Sequence, residues 1–288
     1  MSVAKRLIAR TILAKVYQND KCARRFYAPL PNEPCAPPPH SPWHNASRKK
    51  LPEMIKGKVH YELAHPEDER RILEFVEREI VPYSPLFQVT GAKPRDLLDL
   101  YGPIVERSLK DHCSLLTFAG EDLVGISLHT LHEFDARKDG SWGPREIVDR
   151  KDYSKDIQTA PFKHPAAKKL HVFFEQLRAK FEDLLPGCHK ALVIELGGVA
   201  KKYRGRHISH EMVNNAIQLA RHEGCDAIVT YRADSKAAQK LIQQKLAFSL
   251  LREFKLDSFK EGPAAAFPEP DDDISQQIVS GKLLAKRL

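Results

Sequence analysis

The chain has 288 residues, 29% of them charged, with Lys and Arg outnumbering Asp and Glu by 46 to 38. That is length enough for one large domain or two small ones with a substantial core. No run approaches the roughly 20 apolar residues of a membrane-spanning helix, so a soluble protein without stable membrane insertion is expected. The net charge of +8 sits in residues 1–50, where ten basic residues face only Asp20 and Glu33, and the rest carries 36 charges of each sign. A nucleic-acid-binding body keeps its basic surface on the folded part, so no nucleic-acid partner is expected. Cys22, Cys35, Cys113, Cys188 and Cys225 stand singly, without ligand spacing. That pattern implies a reducing compartment and neither a disulfide framework nor a metal site.

In chain order, residues 1–28 (MSVAKRLIARTILAKVYQNDKCARRFYA) come first. Val3, Leu7, Ile8, Ile12 and Val16 recur near helical spacing, and seven basic residues face one acid. Basic, acid-poor and amphipathic is the pattern of a mitochondrial presequence, and a mitochondrial location is expected. The alternative is a cytoplasmic protein with a basic tail or a surface-lying helix. Seven prolines between Pro29 and Pro42 make residues 29–55 a linker, because each fixes φ and removes a backbone donor. The folded domain is expected over 56–260, with 261–288 a mostly loose tail.

Within that domain VHYEL predicts a strand at Val59–Leu63. A helix opens at Pro66, where Glu67, Asp68 and Glu69 suit its positive end. PRDLLDLYGPIVERSLKDH predicts a second helix, and CSLLTFAGEDLVGISLHTLH two strands joined at Gly120-Glu121-Asp122. Residues 133–165 are polar and rich in breakers, which predicts a long loop. An amphipathic helix follows over 166–185, stopped by Pro186-Gly187. Then come a strand at Ala191–Leu196, a helix to about Glu223 capped by Gly224, and the strand AIVTYR. A short helix in DSKAAQKLIQQKLAF and a last strand, SLLREFKL, complete the domain. The order β-α-α-β-β-α-β-α-β-α-β is that of an α/β domain with a mixed sheet.

Between Ala191–Leu196 and the helix after it lies VAKKYRGRHIS, a basic turn around Gly205. A helix N-terminus presents unsatisfied N–H groups and partial positive charge, which suits phosphate. The turn lacks the GK[ST] of a Walker loop and the three glycines of a dinucleotide-binding turn. It resembles the acetyl-coenzyme A motif of the GNAT superfamily of N-acetyltransferases, V-x-x-x-[YF]-[RQ]-x-x-G-x-[GA]. Val199, Tyr203 and Arg204 match, while His207 and Ser209 stand at the small-residue positions. SKAAQKLIQQKLAF is similar to a second segment of that family, S-x-x-x-x-x-L-x-x-x-L-G-F, with Ala247 at the glycine. Over about residues 57–258 the chain looks most like the arylalkylamine N-acetyltransferase-like branch of insects and nematodes.

The resemblance implies a mixed, mostly antiparallel sheet flanked by helices and splayed between its fourth and fifth strands. It implies acetyl-CoA as co-substrate and no metal. Gly197, Gly198 and Val199 would pair with the pantetheine arm. Arg204, Gly205, Arg206, His207, Ile208 and Ser209 would hold the pyrophosphate, and the helix from Ser235 would line the thiol end. Transfer to an amine requires a proton acceptor, because a free alkyl ammonium has a pKa of ~10. Where the branch carries a glutamate in an E-P-L triplet, this chain has Ser84. Glu195 is the substitute base, on the strand before the turn at the same side parity as Gly197, or else a salt-bridged structural carboxylate. Tyr231 and Ser235 match positions near the thioester, with Tyr231 a candidate acid for the departing thiolate. His129, His132 and Glu79 are further candidates. The expected activity is acetyl transfer to a small amine by direct attack in a ternary complex. The alternatives are a binding or scaffold protein that keeps the fold without turnover, and an acyltransferase acting on a protein amine. The amine, the acyl length and the oligomeric state stay open.

Overall fold

A computed structural model describes residues 59–134, 150–232, 238, 241–267 and 280–288. The basic N-terminal segment, the proline-rich linker and Ser235 lie outside the described residues. The strands are Val59–Leu63 (β1), Leu115–Ala119 (β2), Asp122–Glu133 (β3), Lys190–Val199 (β4), Ala227–Arg232 (β5), Ser249–Lys255 (β6) and Ser280–Arg287 (β7). They are ordered β1-β2-β3-β4-β5-β7-β6. β4 and β5 run parallel, while β3–β4, β5–β7 and β6–β7 are antiparallel. This is the mixed, mostly antiparallel sheet expected from the sequence.

Two compact units divide the chain. The smaller contains described residues 59–62 and Thr117–Val124, where the His60 and Phe118 rings stack at 5.3 Å. The larger is Leu63–Leu116 with Gly125–Leu288, and everything below concerns it.

The splay is visible in the ladders. β4 pairs with β5 only over Ala191–Ile194 against Ala227–Thr230, yet continues to Val199 alongside β3. Beyond Ile194 the β5-facing edge of β4 makes no ladder among the described residues. The β3–β4 register passes from Leu128↔Leu196 to His129↔Ile194, which leaves Glu195 as the extra residue of a β-bulge. A bulge re-aims side chains and breaks strict alternation. Simple alternation therefore does not relate Glu195 to Gly197, although both line the same cavity.

The main helices are Glu69–Phe75 (α1), Leu98–Lys110 (α2), Pro165–Arg178 (α3) and Ile208–His222 (α4). α1 runs on through a π turn, Val76–Ile80. Ile80 packs so close to β4 that a Cβ on Gly198 would lie 3.0 Å from it. α4 sets Val213, Ala216, Ile217 and Ala220 against Leu192 and Ile194 of β4, with Ile228 of β5 and Leu284 of β7 in the same buried cluster. α3 carries Phe173 against the rings of Phe254, Phe259 and Phe267.

Three expectations need correction. Part of the expected 133–165 loop is a helix, Ser154–Thr159. Asp152 there accepts from the Ser154 and Gly262 amides, and the Tyr153 ring packs on Phe254 and Phe259. The helix expected to reach residue 185 stops at Arg178, because buried Arg252 donates to the Leu177 and Ala179 carbonyls at its end. The tail assigned to 261–288 contains β7, an inner strand between β5 and β6. Its SGKLLAKR has a central apolar run in place of alternation, as suits a strand covered on both faces. Gly281 permits this: a Cβ there would sit 2.9 Å from the Phe173 ring.

Candidate active site

The turn after β4 has the backbone shape its sequence implied. Gly205 and His207 both take left-handed conformations, φ 76° and 63°, and α4 starts at the next residue. Glycine adopts that region freely, whereas a side chain pays for it. His207 thus occupies a glycine conformation at the very position where the motif has glycine. Ala247, at the second such position, does the same with φ 56°.

Arg204 is not a free anion ligand. Its Nε donates to the Val199 carbonyl at 3.0 Å and its terminal nitrogen to the Glu79 carbonyl at 3.2 Å. The Tyr83 ring lies under both Arg204 and Lys201, and Glu79 Oε2 accepts from the Lys201 amide at 3.0 Å. Arg204 and Glu79 therefore fasten the turn to the corner after α1. Arg206 lies over Tyr203.

At the bulge, the Glu195 carboxylate is fully buried and gathers groups from four elements. Thr130 Oγ1 donates to Oε1 at 2.8 Å. Arg107 of α2 and Arg178 of α3 reach Oε2 at 3.2 and 3.3 Å, and the Tyr231 hydroxyl of β5 donates to it as well. His132 Nε2 is 3.9 Å from Oε1 but 3.1 Å from Thr130 Oγ1, so it acts through the threonine. Burial alone would raise the carboxyl pKa. His132, the two guanidiniums and the Tyr231 hydroxyl outweigh that effect and hold it at about 2. Burial, with Glu195 beside it, pushes Tyr231 far above the ordinary phenol value and leaves it protonated. Arg178 also pairs with Glu175 and stacks over the Tyr231 ring.

One cavity of about 580 Å³ joins the turn to this cluster. It is lined by Gly197, Gly198, Val199, Arg204, Gly205, His207, Ile208 and Ser209, all expected to hold the cofactor, and by Glu195 and Tyr231. Arg206 does not line it. His129 does not either: its Nδ1 lies 2.6 Å from the Cys113 carbonyl and its Nε2 2.7 Å from Ser127 Oγ. Facing a carbonyl, Nδ1 must carry the proton, so Nε2 accepts from the serine. Burial lowers its pKa to about 4, and the imidazole is a neutral internal strut. Ser84 lines the cavity at the start of the short helix Pro85–Gln88.

Sequence reasoning missed Arg107, Arg178 and His171, which line the same cavity. Their signal was modest. His171, Glu175 and Arg178 recur at helical spacing on α3, polar side chains that share one face of a helix with a large apolar stripe. Nothing local to Arg107 distinguishes it from an exposed helix arginine. Burial next to Arg178 lowers the His171 pKa despite Glu175, leaving a neutral imidazole in the cavity at neutral pH.

A parallel pair that parts at a bulge, followed by a left-handed turn into a helix, with a cavity running from that turn to a polar cluster, is the arrangement of the GNAT fold. Residues 176–248 match the model of the acetyltransferase (GNAT) family. No curated protein sequence matches the chain. Among solved structures it is similar to the Drosophila melanogaster polyamine N-acetyltransferase, which forms N-acetylagmatine, with a TM-score of 0.57, 12% identity, and 80% of this chain and 100% of that one covered. Arylalkylamine N-acetyltransferase 2 from Aedes aegypti gives 0.58 and 16% over 80% of this chain and 98% of that one. The C-terminal condensation domain of Ebony, solved with β-alanyl-dopamine, gives 0.58 and 16% over 81% and 100%. At these identities the likeness is one of fold.

Proposed function

We propose that the chain transfers an acetyl group from acetyl-CoA to a small amine, both bound together in the 580 Å³ cavity. The observation that carries this reading is the continuity of that cavity from the open β4 edge and the α4 N-terminus to the Glu195 cluster and a wall of Phe87, Tyr101, Phe162 and Phe174. The residues present fit acetyl-CoA. Gly197–Val199 offer backbone groups on an edge that β5 leaves unpaired, and Gly205 and His207 turn the chain into a helix end suited to phosphate. Bound there, acetyl-CoA supplies an activated thioester.

The amine nitrogen bonds to the acyl carbon as the carbon–sulfur bond breaks. One amine proton leaves to a base and one proton returns to the departing sulfur, so charge balances. A carboxylate held at about 2 is a weak base, and Glu195 acts instead as a positioning residue that fixes Arg107, Arg178 and Tyr231. His171, neutral and half-buried beside Phe162, is the better matched proton acceptor. The aromatic wall suits an amine with an apolar body.

Calorimetric titration of the full chain with acetyl-CoA, followed by thiol release with phenethylamine, tests the reading. Micromolar binding and amine-dependent thiol release are expected. Binding without release from any amine would instead favour a scaffold that keeps the fold alone.

A further inference from the structure

The acceptor half of the cavity holds two arginines, which a plain amine pocket does not require. α2 presents Tyr101, Ile104 and Arg107 to it at three-residue intervals, and α3 presents His171, Phe174, Glu175 and Arg178. Residues three and four apart share one helix face, so two arginines converge there from two helices. Their surroundings differ. Arg178 is committed to Glu195, Glu175 and Tyr231. Arg107 is not: among the described residues its one ion pair is that of a terminal nitrogen with Glu195 at 3.2 Å, and its side chain is 46% exposed. A guanidinium carries five donors in a planar fork, so most of this one remains open to a second acceptor.

The two acids differ in the same way: Glu195 is buried and already accepts from Thr130, Tyr231 and both arginines, whereas Glu175 pairs through one oxygen with Arg178 and is half-exposed. Tyr101 adds an independent sign. It is 2% exposed on the α2 stripe, and its hydroxyl is buried without a hydrogen-bond partner among the described residues. The acceptor end therefore holds an open guanidinium edge and a buried hydroxyl, with Glu175 beside them already paired to Arg178.

We propose that the acceptor amine carries its own carboxylate, as an amino acid does, and that Arg107 holds it. Arg107 is then the residue that sets acceptor specificity. A carboxylate takes the open edge of Arg107 bidentately, while the amine end of the same molecule keeps clear of the two guanidiniums. This rests on the amine-acetyltransferase reading above.

The test uses the full chain, acetyl-CoA and three matched acceptor pairs: phenethylamine and phenylalanine, tryptamine and tryptophan, agmatine and arginine. Thiol release is followed for the wild type, Arg107→Gln and Arg107→Lys, with acetyl-CoA titration checking that each variant keeps its cofactor site. The wild type is expected to favour the carboxylate member of a pair by about tenfold or more in kcat/KM. Arg107→Gln should erase that preference through KM, and Arg107→Lys should keep part of it. A wild type that favours the decarboxylated amines overturns the proposal even if Arg107→Gln fails to fold. So does a carboxylate preference that Arg107→Gln leaves unchanged. Acetyl-CoA binding with no thiol release from any of the six overturns the amine-transfer reading, and this proposal with it. Transfer to the plain amines alone overturns only this proposal.

Discussion

His207 and Ala247 show what a motif departure means at one residue. Both stand where the family pattern has glycine, and both hold left-handed backbone, φ 63° and 56°. The chain keeps the shape and gives up the residue that adopts it most easily. A side chain in that region costs about 1–2 kcal/mol, and the extra unfolded-state freedom of glycine returns part of it. His207→Gly and Ala247→Gly should each stabilise the protein by ~0.5–1 kcal/mol in urea unfolding. Destabilisation by His207→Gly would mean that contacts of the imidazole outweigh the backbone strain.

Glu195 makes a second prediction at the same scale. Its folded pKa, about 2, lies below the ordinary value of 4.5, so the folded state prefers the ionised form. The resulting stability is fully present above pH 4.5 and is lost as pH falls through the folded value. Glu195→Gln leaves Arg107 and Arg178 without their shared counter-charge, and should cost about 3 kcal/mol near pH 7. The gap between wild-type and variant melting temperatures should narrow between pH 5 and pH 3. A gap that stays constant over that range would assign the loss to packing.

At the scale of elements, what could be read in the sequence was what local chemistry fixes. The hairpin at Gly120, the strand at Ala191 and the helix opening after the basic turn all carry their own punctuation, and all are present. The helix end at Arg178 is different, because its cap is the side chain of Arg252, 74 residues away. The helix at Ser154–Thr159 likewise depends on Tyr153 reaching Phe254 and Phe259. The site divides along the same line. The turn and Glu195 lie in one continuous segment and were legible, including Tyr231 from the next strand. Arg107 and Arg178 enter only because two helices converge on a bulge, and a bulge has no signature in a lone strand sequence.

At the scale of the whole molecule, β7 is the informative error. An acidic, proline-containing stretch precedes SGKLLAKR and gives that end of the sequence the look of a solvated tail. In the fold it pairs with β5 along Ala227–Arg232 and with β6 along Ser249–Lys255. Among the described residues β6 has no other sheet neighbour, so β7 joins it to the rest of the sheet. Leu283, Leu284 and Ala285 are buried, and Leu284 belongs to the cluster under α4, the helix that follows the basic turn. Removing residues 280–288 should therefore do more than trim an end: it leaves the β5 edge unpaired and exposes the α4 core. The truncated chain should lose cooperative thermal unfolding and acetyl-CoA binding together, as followed by circular dichroism and calorimetry. Removal of Leu288 alone, which lies beyond the β7 ladders but donates to the Asp226 carbonyl and packs on the α4 cluster, should lower the melting temperature while leaving cooperativity and binding in place. A cooperative, cofactor-binding protein ending at residue 279 would mean that β5 and β6 close the sheet without β7.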